Sequence, residues 1–234
     1  SIIQTPCPCY AWRCSEPVLS IQLVCATPHQ ACVPELLAEL GMPWDGVSYK
    51  ISGINHMAWL LEISRNGEDL YPIIRKRAQE GPIYAPTLAL RELHPEYADR
   101  IPSVAEQFTP DNHHDMVRFE IMKQFGYFVT ESSEHSSEYY PWFIKKDHPE
   151  LIDRFHIPLD EYPRRCRDQI ARWKQQAEHL VHNENLTHTR SSEYAAGIIE
   201  ALETGRTFGF AGNVLNTGLI DNLPSMPVWK SPVW

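Results

Sequence analysis

The strongest constraint on the fold comes from two β-like runs on either side of the stretch Gly53–Trp59. From Val47 to Ile51 apolar and polar residues alternate, which is the pattern of a strand with one buried face. A second run, Trp59 to Ile63, leads to Asn66-Gly67, a dipeptide typical of a tight turn between strands. The sequence therefore predicts paired strands with His56 at a strand edge or at the corner between the strands.

His56 alone allows two interpretations, a half-buried structural histidine and a metal ligand. A metal site needs several converging side chains, and neither position 58 nor position 60 carries a second ligand. Asn55, immediately before it, tolerates unusual backbone angles and can orient its neighbours by hydrogen bonding. The residue pattern leaves both interpretations open.

Charge and hydrophobic content narrow the class of protein. The chain has 234 residues, a net charge of −9 and 43% hydrophobic residues, enough for one large domain or two small ones. An acidic chain without a basic cluster argues against a nucleic-acid partner. No apolar run reaches the length of a membrane span, and no signal-type segment opens the chain. The six cysteines include no zinc-type Cys-x-x-Cys pair, so we expect a reduced, cytoplasmic protein without a membrane partner.

The rest of the chain has mixed helix and strand patterns. Val33 to Leu40 is predicted to be a short amphipathic helix that Gly41 ends. The segment Gly81–Pro110 holds five prolines and is expected to be irregular. Further helices are predicted in the second half of 68–80, over 111–125, over 162–182 and from residue 191 or 192 to 204, with a strand near 208–214.

Three residues on these predicted helices invite a functional interpretation. Adjacent side chains on a helix point about 100° apart, so His113 and His114 cannot easily bind one ion and are expected at the surface or as caps. Trp173 lies on the apolar stripe of the helix 162–182 and is expected in the core rather than against a ligand. None of the three is assigned to a site.

The stretch from Tyr127 to Tyr139 combines three carboxylates and a histidine with several hydroxyl side chains. A solvated loop would explain this composition. A sugar pocket would explain it as well, because carboxylates accept hydrogen bonds from sugar hydroxyls while aromatics such as Tyr139, Tyr140 and Trp142 cover the ring. Composition alone leaves both possibilities open.

Several strings resemble one family. Gly53-Ile-Asn-His-Met-Ala-Trp59 resembles the metal-histidine motif of glycoside hydrolase family 4, the NAD- and manganese-dependent glycosidases. The resemblance is closest to the melibiase (α-galactosidase) branch, extends from about Val33 to Pro224 and favours the sugar pocket. Its other strings are Phe125-Gly-Tyr-Phe-Val-Thr-Glu-Ser-Ser-Glu-His135, Glu138-Tyr139, Pro141-Trp-Phe-Ile-Lys145, Pro158-Leu-Asp-Glu-Tyr-Pro163, Arg165-Cys166, Gly212-Asn-Val214 and Gly218-Leu-Ile-Asp-Asn-Leu-Pro224.

The resemblance implies an α+β fold of the α/β family, the C-terminal domain of a lactate-dehydrogenase-like architecture. The sequence has no Gly-x-Gly-x-x-Gly motif, so the N-terminal Rossmann domain is expected to be absent and no residue is assigned to cofactor binding. We predict that residues 33–224 form the family's substrate- and metal-bearing domain.

The two ends do not resemble the family as written. Residues 1–32 show no sustained period, and the family's segments before the histidine motif are missing from them. Regrouping permitted codons in shifted frames yields family-like strings for both residues 1–32 and 225–234. Our hypothesis is that these two segments are out-of-frame translations that flank a genuine core. The coding DNA decides this hypothesis.

The resemblance also implies a mechanism that departs from the usual two-carboxylate glycosidase scheme. NAD+ oxidises the C3 hydroxyl, a base removes the C2 proton, the glycosidic bond breaks by elimination, water adds and the ketone is reduced again. Mn²⁺ or another divalent metal polarises the C3 oxygen. The chain alone is expected to be inactive, since it has no NAD site.

Individual roles follow from the same resemblance. His56 matches the metal ligand, whereas Cys25 lies near the family's ligand cysteine but lacks the histidine that should follow it. Glu131, Glu134 and His135 are the candidates for the catalytic base. Asn55, Asn216 and Gly218 are the candidates for substrate binding.

The predicted partner is a small-molecule galactoside, and a homo-oligomer is expected as in the family. Two functions of other classes remain. One is a non-catalytic fragment or sugar-binding remnant of a broken gene. The other is a 2-hydroxyacid-dehydrogenase-like oxidoreductase, against which the sugar-type segment Thr130–Tyr140 argues.

Overall fold

The computed structural model describes residues 32–43, 45–54, 57–85, 106–182, 194–215, 218, 221–222 and 228–233. Helices and strands alternate irregularly along this part of the chain. The helices are α1 Cys32–Glu39, α2 Tyr71–Glu80, α3 Met116–Phe125, α4 Ser133–Tyr139, α5 Glu150–Arg154, α6 Glu161–His182 and α7 Tyr194–Thr204. The strands are β1 Val47–Ile54, β2 Met57–Arg65, β3 Glu68–Asp69, β4 Ile83–Tyr84, β5 Gln107–Phe108, β6 Phe128–Val129, β7 Phe210–Leu215 and β8 Val228–Val233.

The main sheet is antiparallel, in the order β3-β2-β1-β8-β7, and β6 also pairs with β2. The predicted strand pair is confirmed, because β1 and β2 pair from Val47↔Arg65 to Ile54↔Met57. Asn66 and Gly67 both have positive φ, 51° and 86°, as a tight hairpin turn requires, and they join β2 to β3.

The predicted first helix is confirmed as α1, and its end shows why Gly41 is there. Gly41 has φ 60°, and its N–H donates to the Ala38 carbonyl while the Met42 N–H donates to the Leu37 carbonyl at 2.7 Å. This pair of bonds is a Schellman motif, which satisfies the last helical carbonyls. Val33, Leu36 and Leu37 of α1 are fully buried.

The core lies on both sides of α3. Phe119 and Met122 join a cluster that contains α1, the inner face of β2 and Ile74 of α2. Val117 and Ile121 join a second cluster, which continues through residues 129–157. Because its two faces are buried against different elements, α3 is the central helix of the described chain.

One sequence prediction in this region is wrong, and one of the two interpretations left open for the segment 127–139 does not hold. The helix predicted over 111–125 begins only at Met116, because Thr109 to Asn112 form a turn closed by an N–H···O bond of 3.1 Å. The segment after Thr130 is neither a loop nor fully solvated. It forms α4, whose N-cap Ser132 accepts a hydrogen bond from the His135 N–H.

The long helix α6 is confirmed, but the expected core position of Trp173 is wrong. No residue of α6 is buried, and Trp173 is 59% exposed. The apolar stripe of α6 therefore faces away from the described core.

The two ends of the proline-rich segment Gly81–Pro110 pair with each other, Ile83 with Phe108 and Tyr84 with Gln107. Residues 86–105 between them lie outside the described residues. No helix in the described chain is long and apolar enough to cross a membrane.

Candidate active site

The corner between β1 and β2 is built by a close backbone approach. Gly53 pairs with Ala58 and has φ 144°, and a Cβ at position 53 would lie 2.5 Å from the Ala58 Cα. Only glycine fits this geometry without displacing backbone. Asn55 and His56 themselves lie outside the described residues, so their proposed roles stay predictions.

The corner contacts the segment that carries the candidate bases. Thr130 donates to the Ala58 carbonyl twice, from its N–H at 3.0 Å and from its Oγ1 at 3.2 Å. Trp59 pairs with Val129 in the adjoining ladder. Two segments that are 72 residues apart in sequence therefore meet at this end of β2.

The first turn of α4 brings Glu131 and His135 together. The Glu131 Oε1 accepts a hydrogen bond from the Ser132 N–H at 3.0 Å and lies 3.7 Å from the His135 Nδ1. The Ser132 Oγ lies 3.1 Å from the same nitrogen. The His135 side chain is 36% exposed and that of Glu131 17%. An imidazole held against a carboxylate at the surface can accept and release a proton.

The other predicted residues are placed less specifically. Glu134 is partly buried, and its backbone carbonyl accepts a 2.6 Å hydrogen bond from Ser137. Gly218 is exposed and has open space where a Cβ would be. Asn216 lies outside the described residues. The structure thus joins Glu131 and His135 but does not bring Gly218 to them.

The described residues alone do not fit a metal site. They contain no group of three or more His, Cys, Asp or Glu side chains placed to hold a metal ion. His56, the metal ligand that the resemblance implies, lies outside the described residues and stays a prediction.

A buried charge cluster behind α4 was missed by the sequence analysis. Arg118 is 4% exposed, and its Nη1 lies 3.2 Å from Asp115 Oδ2 and 3.6 Å from Glu35 Oε2. Its guanidinium also lies 4.3 Å above the Phe128 ring. Asp115 accepts a hydrogen bond from the Ser133 hydroxyl, whose oxygen accepts from the Arg118 N–H at 3.3 Å. The cluster therefore fixes the start of α4 against α3.

Burial and neighbouring charges both shift the pKa values of the groups in and around this cluster. Burial raises the pKa of Glu35 although Arg118 lowers it, and burial raises the pKa of the Cys32 thiol to about 12. Burial and the Asp115 charge raise the pKa of Glu39 to about 8. For Arg118 the penalty of burial is outweighed by Asp115, Glu35 and Glu39, which raise its pKa. The arginine is the permanent charge around which the carboxyls are arranged.

The surface or capping role expected for both histidines is wrong for His113 and is confirmed for His114, whose side chain is 41% exposed. His113 is 2% exposed, and its Nδ1 accepts a 3.2 Å hydrogen bond from the Asp115 N–H. Burial lowers the pKa of His113 to about 4, so it is neutral near pH 7. His114 contacts the buried Glu39 of α1 at 3.0 Å. No short-range signal reveals the second contact, because Glu39 lies 75 residues earlier.

A cavity of about 460 Å³ lies beside α3, which contributes part of its lining. It is lined by charged residues such as Arg75, Lys123 and Arg154, with Phe119 and Phe155 as apolar walls. Neither Glu131 nor His135 lines it, so it is distinct from this pair.

The sequence matches one family profile. The family described as "Family 4 glycosyl hydrolase C-terminal domain" matches residues 51–228. The alpha-galactosidase of Bacillus subtilis (strain 168) is 52% identical over 199 residues, which are 85% of this chain and 40% of that protein. The alpha-galactosidase of Rhizobium meliloti (strain 1021) is 30% identical over 210 residues, 85% of this chain and 37% of that protein. The chain thus spans about two fifths of the length of these curated relatives.

Solved structures with low sequence identity share the fold. The putative glucosidase lplD from Bacillus subtilis has a TM-score of 0.62 at 17% identity, over 91% of this chain and 47% of that chain. The 6-phospho-beta glucosidase from Thermotoga maritima, solved with manganese, NAD+ and glucose-6-phosphate, has a TM-score of 0.56 at 17% identity, over 99% of this chain and 47% of that chain.

These matches confirm the α+β C-terminal domain that the motifs predicted. The profile spans more than half of the chain and includes the β1–β2 corner, the Arg118–Asp115 ion pair and the Glu131–His135 pair. The chain belongs to the family 4 glycosyl hydrolases and carries the C-terminal domain of that family.

Proposed function

We propose that this chain is the substrate-binding part of an NAD- and manganese-dependent α-galactosidase. The observation that carries the proposal is the 52% identity to a Bacillus alpha-galactosidase, combined with the contact between Ala58 at the β1–β2 corner and Thr130, the residue before Glu131. The substrate is an α-galactoside, and the reaction is hydrolysis of its O-glycosidic bond.

In this proposal the Glu131–His135 pair handles a proton. A base that works near neutral pH needs a group that gains and loses a proton there, which suits an imidazole beside a carboxylate. Ser132 orients the imidazole from one side, and the Arg118 cluster holds the helix that carries it. Glu134 stays a second candidate for the base, and Asn55, Asn216 and Gly218 stay candidates for contacts with sugar hydroxyls.

NAD+ and Mn²⁺ enter the proposal through the family. A related 6-phospho-alpha-glucosidase from gut microorganisms was solved in complex with NAD and Mn2+. Bound NAD+ would supply the oxidation and reduction, and the metal would supply Lewis acidity. Because this sequence has no Gly-x-Gly-x-x-Gly motif, the nucleotide must be held by another polypeptide segment or not at all. A cytoplasmic location and a homo-oligomer are proposed on the same family grounds.

A second function is a sugar-binding remnant without turnover. The absence of the dinucleotide motif favours it for the chain as given, since the oxidation step then has no electron acceptor. Both functions require galactoside binding. They differ only in whether turnover appears when the nucleotide-binding part of a relative is supplied.

The test measures binding and turnover separately. Purified chain is titrated with Mn²⁺ by electron paramagnetic resonance, with and without galactose, and assayed on p-nitrophenyl α-galactoside with NAD+, with and without the separately expressed N-terminal part of the Bacillus relative. We expect sugar-enhanced Mn²⁺ binding and turnover only in the mixture. The variant His56→Ala should lose the metal, whereas His148→Ala, an exposed histidine paired with Glu150, should not.

The outcomes distinguish the α-galactosidase function from the sugar-binding remnant. Binding without turnover in the mixture would favour the remnant. Binding of neither metal nor sugar would overturn both functions. Turnover by the chain alone would show that it holds NAD+ without the usual motif, which contradicts the proposal that another polypeptide segment holds the nucleotide.

A further inference from the structure

We infer that an aromatic cluster beside the candidate site, formed by Trp59, Phe125, Tyr140 and Trp142, is a carbohydrate-binding platform that receives a pyranose ring of the substrate on Trp142. The inference rests on the proposed function, which it deepens by naming the surface that holds the sugar. The four rings are linked by stacked or edge-on contacts, and Trp142 is the exposed tryptophan among them.

The four rings form a continuous unit. Trp142 stacks on Tyr140 with centroids 5.0 Å apart and planes at 7°, and on Phe125 with centroids 5.3 Å apart and planes at 27°. Trp59 packs edge-on against Phe125 at 5.7 Å and against Tyr140 at 6.4 Å. The orientation of the Trp142 indole is therefore fixed by its contacts with Tyr140 and Phe125.

The outer part of this unit is open to solvent. Trp142 is 41% exposed and Phe125 50%, whereas Tyr140 is 7% exposed. The neighbouring Glu138, Lys145 and Lys146 are exposed polar residues. A flat apolar surface with a polar rim matches a pyranose ring, whose C–H face is apolar and whose hydroxyls radiate outwards.

Tyr140 adds a polar group to the platform. Its hydroxyl is buried and has no hydrogen-bond partner among the described residues, although a buried hydroxyl normally has one. Tyr140 lies in the same stack as the exposed indole. A sugar hydroxyl is both a donor and an acceptor, so it is the kind of partner that this phenol lacks.

The platform is continuous with the candidate site on two sides. Trp59 follows Ala58, whose carbonyl accepts both hydrogen bonds from Thr130. The Tyr139 ring stacks on His135 with centroids 6.4 Å apart and planes at 16°. A ring seated on Trp142 would thus belong to the same bound galactoside whose reacting carbon lies near Glu131 and His135.

The chain offers a matched control in Trp173. This residue is also exposed, at 59%, but it lies on α6 and forms no ring contact with the described residues. If exposed tryptophans bound sugar nonspecifically, Trp142 and Trp173 would behave alike.

The experiment titrates the full chain with methyl α-galactoside and follows ligand-observed saturation-transfer NMR and tryptophan fluorescence. We expect Trp142→Ala to weaken binding about tenfold or more, and Trp173→Ala to change it less than about twofold. Tyr140→Phe removes only the hydroxyl, so it should weaken binding about threefold or more without lowering the unfolding temperature. Sorbitol, a polyol without a ring face, should not compete.

The outcomes separate the platform from the proposed function. Equal losses in the Trp142 and Trp173 variants, or full affinity in both Trp142→Ala and Tyr140→Phe, would overturn the platform. If His56→Ala still abolishes sugar-enhanced Mn²⁺ binding in that case, the proposed function stands without the platform. If the unmodified chain binds no galactoside, the platform and the substrate-binding role fail together.

Discussion

Gly53 and Ala58 lie so close across the β1–β2 pair that a Cβ on Gly53 would be 2.5 Å from the Ala58 Cα and 2.8 Å from the Met57 carbonyl oxygen. Backbone atoms at these positions belong to a hydrogen-bonded ladder and cannot move aside cheaply. The corner that carries Asn55 and His56 therefore depends on a missing side chain.

The first prediction concerns Gly53→Ala. The new methyl group must displace the β2 backbone in addition to adopting positive φ, so we expect a loss of about 2–4 kcal/mol in the free energy of unfolding, measured by urea titration. Gly67→Ala is the control, because Gly67 also has positive φ but open space around it, and about 1 kcal/mol is expected there. Equal losses would show that backbone angle alone, not crowding, requires glycine at position 53.

The second prediction concerns the charge at the centre of the buried cluster. Arg118→Met leaves the buried Asp115 and the half-buried Glu35 without their cation, and we expect a loss of about 3–5 kcal/mol by chemical denaturation. Ser133→Ala removes two hydrogen bonds at the edge of the cluster, one to Asp115 and one from the Arg118 backbone N–H, and should cost about 1–2 kcal/mol. The exposed Arg167→Met should stay within about 0.5 kcal/mol of the unmodified chain. A loss below 1 kcal/mol for Arg118→Met would contradict the central role of this residue.

The third prediction is a pH dependence of stability. The pKa of Glu39 is raised from 4.5 to about 8, so the folded state binds more protons than the unfolded state between these values. The stability that the buried, protonated Glu39 gives the folded state is fully present below about pH 4.5 and is lost as the pH rises through 8. The free energy of unfolding should therefore decline from pH 6.5 to 8.5. The lowered pKa of His113 affects stability only at lower pH, between about 4 and 6.5.

Glu39→Gln tests this dependence, because it removes the titration and keeps a polar side chain beside His114. Urea unfolding of this variant should show a flatter pH profile from 6.5 to 8.5 than the unmodified chain. Glu62→Gln, at an exposed strand position paired with Lys50, serves as the control and should retain the slope. An unchanged slope in Glu39→Gln would assign the pH dependence to another group.

The fourth prediction concerns the exposed stripe of α6. Trp173→Ser should change the free energy of unfolding by less than about 0.5 kcal/mol, because the side chain is 59% exposed and α6 contributes no buried residue. Phe143→Ala, at a position 3% exposed in the second core cluster, should cost about 3–5 kcal/mol in the same assay. A large loss for Trp173→Ser would mean that α6 is packed in solution.

Local patterns predicted the elements that depend on local interactions. Asn66-Gly67 adopts the backbone angles that its residue types favour, and Gly41 ends α1 through bonds to residues within one turn. The β1–β2 pair follows from period-two alternation on both sides of a short corner. Each of these needs only neighbours in sequence to be specified.

Contacts between distant segments were not predictable in the same way. His114 binds Glu39, and Arg118 binds Glu35, across more than 70 residues, so these contacts leave no periodic signal in the sequence. The stripe on α6 shows the opposite limit. An apolar period indicates that a helix has an apolar face, but not which surface, if any, covers it. The pairing of Glu131 with His135 spans four residues and falls within the segment that composition had already singled out.

The two hydrogen bonds from Thr130 to Ala58 also bear on the order of assembly. They close a loop of 72 residues, and the entropy of closing so long a loop must be offset before the contact contributes stability. The β1–β2 hairpin can form as soon as residue 65 has left the ribosome, whereas its partner segment is synthesised only much later. We therefore expect the hairpin to form early, while the edge of β2 that later pairs with β6 is still unpaired. The two halves of the candidate site should then be joined in one of the last steps of folding.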